Sequence, residues 1–397
     1  MLKRMVAGLG QAWIILGITL LLLVVVDQLL RLALPKPAAD QPFDASVPAA
    51  PDREHADAVK ADTWIHDYWS EHADARGTDW RSYVYWRRQP FVGELVNVDA
   101  HGFRVTPTSA ISHQRSVWLF GGSVVWGTGN RDSGTLAAQL EKLYAANAPE
   151  LGVRVRNFGE SGYVSQQSAI AFQLALRCHE PAADLAIFLD GANDVFASLQ
   201  SNEAGNPQNE ENRRREFNSA NHLSRLMLAL ATRFEGIARL IQAQSVAPES
   251  TQTDALAEAT ARAYVATARQ TQALAKEYGV DLIYGFQPTV FDRANPPRDE
   301  ATIVGASAAT HVRLQRATRV HVNHLISTEP STPITDLGGV FDDAAQPVYF
   351  DFVHLSEAGQ ALLAAKLYQL SLPRLKARVS GDPGLDRCTA RPLGFTP

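Results

Sequence analysis

Cysteine is scarce in this chain of 397 residues, which contains only Cys178 and Cys388. Two cysteines so far apart provide neither the paired spacing of a zinc site nor the density of a small disulfide-rich fold. In an exported protein they could form one disulfide that holds the tail at Gly381–Pro397 against the body of the chain. The sequence leaves this disulfide and two unpaired cysteines as alternatives.

The chain also lacks an excess of basic residues, with 37 Lys and Arg against 42 Asp and Glu and a net charge of −5. Its one basic cluster, Arg213–Arg215, follows an acidic run and is typical of a solvated surface. We therefore expect no nucleic-acid partner. The hydrophobic share of 46% is that of an ordinary globular protein, and the length is sufficient for one large domain with additions.

One long hydrophobic run is present near the N-terminus, Val6–Val26, and it is apolar except for Gln11 and Thr19. At about 1.5 Å per residue this run spans roughly the 30 Å core of a bilayer. The apolar core of a cleaved signal peptide is usually shorter, about 7–15 residues, so the run predicts a retained signal anchor. Lys3 and Arg4 precede it, which favours a cytoplasmic N-terminus and an exported C-terminal part.

Changes in composition divide the chain into five predicted segments. Residues 35–61 are rich in Pro, Ala and Asp, which predicts a linker, and an insertion at about 200–253 interrupts the main domain. This insertion is first polar and then has a predicted helix at His222–Gln244, and it could be a lid or a simple insertion. The segments are a signal anchor at 1–34, a linker at 35–61, an aromatic-rich extension at 62–110, a main domain at 111–375 and a tail at 376–397.

Aromatic side chains crowd into the extension, and after them Glu94–Arg104 has the pattern of two strands joined by a turn at Asp99–Gly102. Such a cluster can bind sugars, although packing of a small subdomain is its more common use. The aromatic residues are Trp64, Tyr68, Trp69, Trp80, Tyr83, Tyr85 and Trp86.

From Ser116 onward, short apolar strands alternate with amphipathic helices. This alternation predicts an α/β fold with a parallel sheet covered on both faces, in which ligands bind at the C-terminal ends of the strands. The predicted strands are Val117–Phe120, Val153–Asn157, Leu185–Leu189, Val280–Phe286 and Ile334–Leu337, and the predicted helices are Gly134–Ala145, Ser165–Leu176, Asp254–Tyr278 and Glu357–Leu370.

The first predicted strand runs into Gly121 and Gly122 and then into Ser123. A serine on a glycine-flanked turn is well placed as a nucleophile, since the glycines let a substrate approach and the next helix, predicted after Asp132, offers N–H groups. A phosphate-binding loop would need Lys after its last glycine, and an α/β-hydrolase elbow would need Gly two residues after the serine; neither is present. A glycine turn that merely contains a serine is the alternative interpretation.

Polar residues also follow later strands. Gly162 lies in the loop after the second strand, Asn193 follows the third, and Asp351 precedes His354 by three residues near the last helix. Acyl transfer needs such a set, because a histidine must take the serine proton and a carboxylate must hold the imidazole. The N–H groups of Ser123 and Gly162 and the amide of Asn193 can stabilise an oxyanion.

These residues fall in four blocks that resemble those of the SGNH hydrolases, the GDSL-like esterase and lipase family. The blocks are Gly121-Gly122-Ser123 with Gly127, Asn157 to Gly162, Gly191-Ala-Asn193-Asp194, and Asp351 with His354, and the resemblance covers about Ser116–Leu372. It implies a three-layer α/β/α fold with a five-stranded, flavodoxin-like parallel sheet and no metal or organic cofactor. It also implies that Ser123, Asp351 and His354 are catalytic and that Ser123, Gly162 and Asn193 form the oxyanion hole.

Two features depart from the family pattern. Gly122 stands where the family usually has Asp, and the interval from Asn193 to Asp351 is long, largely because of the insertion. Glu160 and Asp194 lie beside the motifs without a chemical role of their own. Substitution of either is therefore expected to reduce activity less than substitution of Ser123.

Anchored bacterial proteins of this general type are often tied to cell-envelope carbohydrate, as esterases or O-acyltransferases. We therefore predict a single-pass inner-membrane protein whose periplasmic domain is a serine esterase that removes acyl groups, with O-acetyl expected, from an envelope glycan or glycolipid. The alternatives are an O-acyltransferase with the same acyl-serine, a lipase or thioesterase, and a non-catalytic binding module that keeps the pocket. The sequence does not specify an oligomeric state.

Overall fold

The computed structural model describes residues 2–33, 64–107, 114–178, 183–218 and 250–378. The described strands, in chain order, are β1 (Thr78–Arg81), β2 (Tyr85–Arg88), β3 (Phe91–Val92), β4 (Asn97–Val98), β5 (Arg115–Gly121), β6 (Val153–Asn157), β7 (Leu185–Asp190), β8 (Asp281–Phe286) and β9 (Ile334–Asp336). The described α-helices are α1 (Leu2–Ala33), α2 (Ile65–Asp74), α3 (Ser123–Trp126), α4 (Leu136–Asn147), α5 (Ser165–Cys178), α6 (Ala192–Ser201), α7 (Glu210–Asn218), α8 (Ser250–Glu277), α9 (Arg298–Ala306), α10 (Ala309–Thr328) and α11 (Glu357–Ala377).

The described elements belong to two separate units, and the first of them contains α1 and α7. Within α1, the 21 residues Trp13–Ala33 have a mean hydropathy of 2.4 and are long and apolar enough to cross a membrane. A signal sequence near the N-terminus can also reach this length and hydropathy. In α7, Arg214 pairs with Glu210 and Glu211 on the helix surface, as expected for a solvated segment.

The second unit is built on a five-stranded parallel sheet in the order β6-β5-β7-β8-β9. This confirms the predicted α/β architecture and its five strands. The chain leaves β5 to form β6 on one side and then crosses to form β7 on the other, so the strand order switches at β5. In open parallel sheets such a switch opens a crevice at the C-terminal ends of the strands, where ligands bind.

Helices cover both faces of the sheet, because successive side chains of a strand point to opposite faces. Val117 and Leu119 of β5 belong to one hydrophobic cluster, with residues of α4 and α11. Trp118 and Phe120 belong to the other, with residues of α5, α8 and α10. The four predicted helices are present as α4, α5, α8 and α11, and the predicted three layers are confirmed. The sequence did not predict α2, α3, α6, α7, α9 and α10.

The aromatic-rich extension forms α2 and two small antiparallel pairs, β1 with β2 and β3 with β4. The predicted second strand of Glu94–Arg104 is reduced to one bridge between Val98 and Arg104 after a turn that begins at Asp99. Tyr68 and Val98 are buried in a cluster that includes Trp126 of α3. The extension therefore packs against the short helix that begins at the candidate nucleophile.

Several predictions fall outside the described residues. These are the linker at 35–61, the helix at His222–Gln244 and the pairing of Cys178 with Cys388.

Candidate active site

The turn after β5 places Ser123 at the first position of the one-turn helix α3. The first helix after β5 is therefore α3, which was not predicted, and the helix predicted after Asp132 is α4. Gly127 ends α3 in the left-handed region, with φ 96°, which glycine adopts without strain. A Cβ on Gly122 would overlap the side-chain nitrogen Nδ2 of Asn193. A side chain at position 122 would therefore require the Asn193 amide to move.

Ser123, His354 and Asp351 form one hydrogen-bonded row. Ser123 Oγ lies 2.7 Å from His354 Nε2, and His354 Nδ1 lies 2.5 Å from Asp351 Oδ2. The imidazole is buried, and only 7% of Ser123 is exposed. The sequence separates Ser123 from His354 by 231 residues, so the fold alone brings them together.

Asp351 is held by the backbone as well as by the imidazole. Its Oδ1 accepts hydrogen bonds from the N–H of Val353 at 2.9 Å and of His354 at 2.7 Å. Burial by itself raises the pKa of Asp351, but the positive charge of His354 and these hydrogen bonds outweigh it, so the pKa lies below its ordinary value. Asp351 is therefore a carboxylate at neutral pH and fixes which imidazole nitrogen faces Ser123.

Gly122 lies next to the side chain of Asn193 and the backbone carbonyl of Tyr163, the residue after Gly162. Gly162, with φ 80°, lies in the loop between β6 and α5. Asn193 lies in the first turn of α6 and donates one amide N–H to the carbonyl oxygen of Tyr163 at 2.8 Å. In the described part of the chain, the second N–H of Asn193 and the backbone N–H groups of Ser123 and Gly162 have no acceptor.

A neutral hydroxyl, an imidazole and a carboxylate in a row, beside unsatisfied N–H donors, form an arrangement suited to nucleophilic acyl transfer. Among the described residues, no group of three or more His, Cys, Asp or Glu side chains is arranged to hold a metal ion.

The extension supports the loop that carries Gly162, a role the sequence analysis missed. Arg87 Nη1 donates to the carbonyl oxygens of Phe158 at 3.2 Å and Gly159 at 3.1 Å. Trp86 Nε1 donates to the carbonyl oxygen of Ser161 at 3.0 Å. These bonds satisfy backbone carbonyls of an irregular buried loop and so fix its path.

Glu160 anchors the same loop to the extension. Its carboxylate is fully buried and accepts hydrogen bonds from the backbone N–H of Arg88 and of Ser161, each at 2.9 Å. The guanidinium nitrogens of Arg88 and Arg87 lie 3.5 Å and 3.9 Å from it. Glu160 therefore has a structural role that the motif alone did not indicate.

Glu160→Ala is expected to destabilise the protein by about 3–5 kcal/mol, because two buried guanidinium groups lose their counter-charge. Urea unfolding of the purified variant measures this. Glu258→Ala is the matched control, since Glu258 pairs with Arg262 on an exposed helix surface and should contribute about 0.5 kcal/mol or less. Equal stability losses in the two variants would contradict the proposed anchoring by Glu160.

The extension also fixes α3 through Trp126. The guanidinium groups of Arg88 and Arg104 lie 4.9 Å and 4.5 Å from its ring centre, and His72 contacts it edge-on at 5.5 Å. Burial, followed by the positive charges of Arg88 and Arg104, lowers the pKa of His72 to about 2. His72 is therefore neutral and packs as a buried aromatic ring beneath the helix of Ser123.

Asp194 joins the first turns of two helices below the site. Its carboxylate accepts from Ser165 Oγ at 2.5 Å and from the backbone N–H of Gly191 at 3.2 Å. Burial raises the pKa of Asp194, and burial together with the charge of Asp194 raises the pKa of Asp190 well above its ordinary value. Asp194 thus ties the first turn of α6, which carries Asn193, to the first turn of α5.

No family model matches the chain, and no curated protein matches it either. Among solved structures, it is similar to an acetylxylan esterase from Geobacillus stearothermophilus, at 16% identity and a TM-score of 0.37, over 67% of this chain and 96% of that one. It is also similar to an α/β-hydrolase enzyme from the metagenome of Lake Arreo, Spain, at 16% identity and a TM-score of 0.36, over 67% and 97%. A third similar structure is described as a lipolytic protein of the G-D-S-L family from Desulfitobacterium hafniense. It is 10% identical, with a TM-score of 0.36, over 64% of this chain and 98% of that one. The function is therefore inferred from the geometry of the site.

Proposed function

We propose that this protein is a serine esterase of the SGNH type. The observation that carries the proposal is the row of Ser123, His354 and Asp351, with contacts of 2.7 Å and 2.5 Å. Its motif blocks resemble those of SGNH hydrolases in order and in position after the strands. Serine, histidine and aspartate in such a row act as nucleophile, general base and orienting carboxylate.

In the acylation step, His354 Nε2 accepts the proton of Ser123 Oγ as that oxygen attacks the ester carbonyl carbon. Asp351 stabilises the resulting imidazolium. The tetrahedral oxyanion accepts hydrogen bonds from the N–H groups of Ser123 and Gly162 and from the Asn193 amide. The protonated imidazole then gives its proton to the departing alcohol, which leaves an acyl group on Ser123.

In the deacylation step, His354 takes a proton from water, and the hydroxide attacks the acyl-serine carbonyl. The same donors hold the second oxyanion, and Ser123 recovers its proton from His354 as the carboxylic acid leaves. If a sugar hydroxyl replaced water in this step, the product would be a transferred acyl ester. Release of free acetate without an added acceptor distinguishes hydrolysis from transfer.

The proposed substrate is an acyl ester, with O-acetyl expected, on a cell-envelope carbohydrate or glycolipid. Trp13–Ala33 is proposed to be a retained membrane anchor, with the catalytic domain on the periplasmic side. N-terminal sequencing of the mature protein tests the anchor, which should retain its first residues. A new N-terminus after residue 30 would indicate a cleaved signal peptide.

A fluorophosphonate probe should label Ser123 in the purified wild-type protein, since it reacts with serines activated by a neighbouring histidine. Mass spectrometry of the labelled peptide identifies the site, and Ser123→Ala serves as the control. A panel of acylated glycans and short-chain p-nitrophenyl esters then reports the substrate class by acid release. A folded wild-type protein that neither reacts with the probe nor hydrolyses any ester would contradict the proposed function.

A further inference from the structure

The hairpin of β1 and β2 carries a row of aromatic rings on its surface. The rings of Trp80 and Tyr85 are 5.4 Å apart and inclined by 28°, and those of Tyr85 and Trp86 are 6.5 Å apart and inclined by 29°. Trp80 is 66% exposed, and Tyr83, in the turn of the hairpin, is 73% exposed. In these four rings, called here the aromatic row, Trp80 and Tyr83 are exposed, while Tyr85 and Trp86 are half-buried.

The turn of this hairpin is conformationally strained. Tyr83 and Tyr85 both have φ of 72°, a left-handed conformation that is unfavourable for a bulky side chain. Glycine or asparagine would adopt it at lower cost. Burial of the Tyr83 ring does not offset the strain, because most of that ring is exposed. Strain that presents rings to solvent favours a binding role over a packing role.

The aromatic row contacts the loop that carries Gly162. Its inner ring, Trp86, contacts Tyr163 edge-on at 5.5 Å and donates to the carbonyl oxygen of Ser161 at 3.0 Å. Tyr163 donates its hydroxyl to the backbone carbonyl of Trp86. Gly162 lies between Ser161 and Tyr163, so the row ends at the loop that supplies an oxyanion donor.

We propose that the aromatic row binds the pyranose rings of a glycan whose acyl ester lies at Ser123. This proposal rests on the proposed esterase function. A pyranose presents a face of C–H groups, which carry partial positive charge and fit the electron-rich face of an aromatic ring. Its hydroxyl groups need polar partners, and Asp79, which precedes Trp80 on β1, accepts a hydrogen bond at 2.7 Å from Gln89, which follows β2.

Exposed Trp and Tyr rings also occur where proteins meet a membrane surface. Surfaces that bind anionic lipid carry clusters of Lys and Arg. On β1, one acid, Asp79, stands beside one base, Arg81, and the two guanidinium groups of β2 are buried against the Gly162 loop. The balance of charge and the continuity with the site favour a saccharide as the occupant.

The test compares Trp80→Ala, Trp80→Tyr and Val92→Ala in the full-length, detergent-solubilised protein. Val92 is 89% exposed on β3 and lies outside the row, which makes Val92→Ala the matched control. The readout is the ratio of kcat/KM for partially O-acetylated xylo-oligosaccharides to kcat/KM for p-nitrophenyl acetate. Trp80→Ala should lower this ratio about tenfold, mainly through KM, while Trp80→Tyr retains most of it and Val92→Ala leaves it unchanged. If the ratio measured for Trp80→Ala equalled that of the wild type, the proposal would be overturned.

Saccharide binding can also be tested without esterase activity. If the wild type hydrolyses neither substrate, affinity electrophoresis in gels containing deacetylated xylan still tests binding by the row. Greater retardation of the wild type than of Trp80→Ala would support saccharide binding, and equal mobility would overturn it. In nanodiscs with brominated lipid, stronger quenching of the wild type than of Trp80→Phe would place Trp80 in the membrane surface and overturn the saccharide proposal.

Discussion

Ser123→Ala is expected to lower kcat/KM for any ester substrate by on the order of 10⁴- to 10⁶-fold. The substitution removes the oxygen that forms the acyl bond, and water cannot replace it in the same position. His354→Ala should cost nearly as much, because nucleophile and base act as one unit. Asp351→Asn should lower kcat/KM less. The new amide side chain no longer stabilises the imidazolium of His354, but the backbone N–H groups of Val353 and His354 can still hold its oxygen in place.

The measurement is steady-state hydrolysis by purified variants whose unfolding transitions match the wild type. His321→Ala is the matched control for histidine loss, because His321 pairs with Asp254 between α10 and α8. Its activity should equal that of the wild type. Normal turnover by Ser123→Ala would contradict an acyl-serine mechanism and would leave the resemblance to SGNH hydrolases as one of fold.

Asn193→Ala is expected to lower kcat by on the order of 10²- to 10³-fold with little change in KM, because an oxyanion donor acts mainly in the transition state. The structure adds a second consequence. The buried carbonyl of Tyr163 loses its donor, which should cost about 1–3 kcal/mol of stability. Rate and stability are therefore both measured, at a temperature where the variant remains folded.

Asn323→Ala is the control for Asn193→Ala, since Asn323 donates to Asp336 at an exposed position, 2.8 Å away. It should change neither kcat nor KM. A rise in KM with unchanged kcat in Asn193→Ala would mean that Asn193 binds the ground state of the substrate instead of the oxyanion.

The sheet was predictable mainly from its central strands, because β5 and β7 contain short, continuous apolar runs, which is the pattern of strands buried on both faces. Helix α10 was not predictable from the sequence, and the residues on its buried face explain why. That face includes His311, Gln315, Thr318 and Arg319 beside Leu314, Val322 and Leu325, so polar residues occupy positions that a sequence pattern assigns to the surface. Arg319 is held by Asp292 and Asp336, contacts that exist only in the folded chain.

The candidate site likewise contains residues that the sequence predicted and residues that it did not. Ser123, Asn193 and His354 are recognisable because each lies in a short motif, two of them directly after predicted strands. The supporting residues carry no local signal. Arg88 and Glu160 are 72 residues apart, and nothing in the spacing of the aromatic-rich extension indicates that it packs on the Gly162 loop. The sequence also left sugar binding as the less favoured use of the aromatic cluster, since exposure and backbone strain appear only in three dimensions.

The separation of Ser123 from His354 by 231 residues has a consequence for the timing of synthesis. At about 5–20 residues per second, a ribosome needs roughly 10–50 s to proceed from the serine to the histidine. Contacts between such distant segments also form late and slowly in folding. Throughout this interval Ser123 lacks His354, so under the proposed mechanism a chain still being made is chemically inert toward esters.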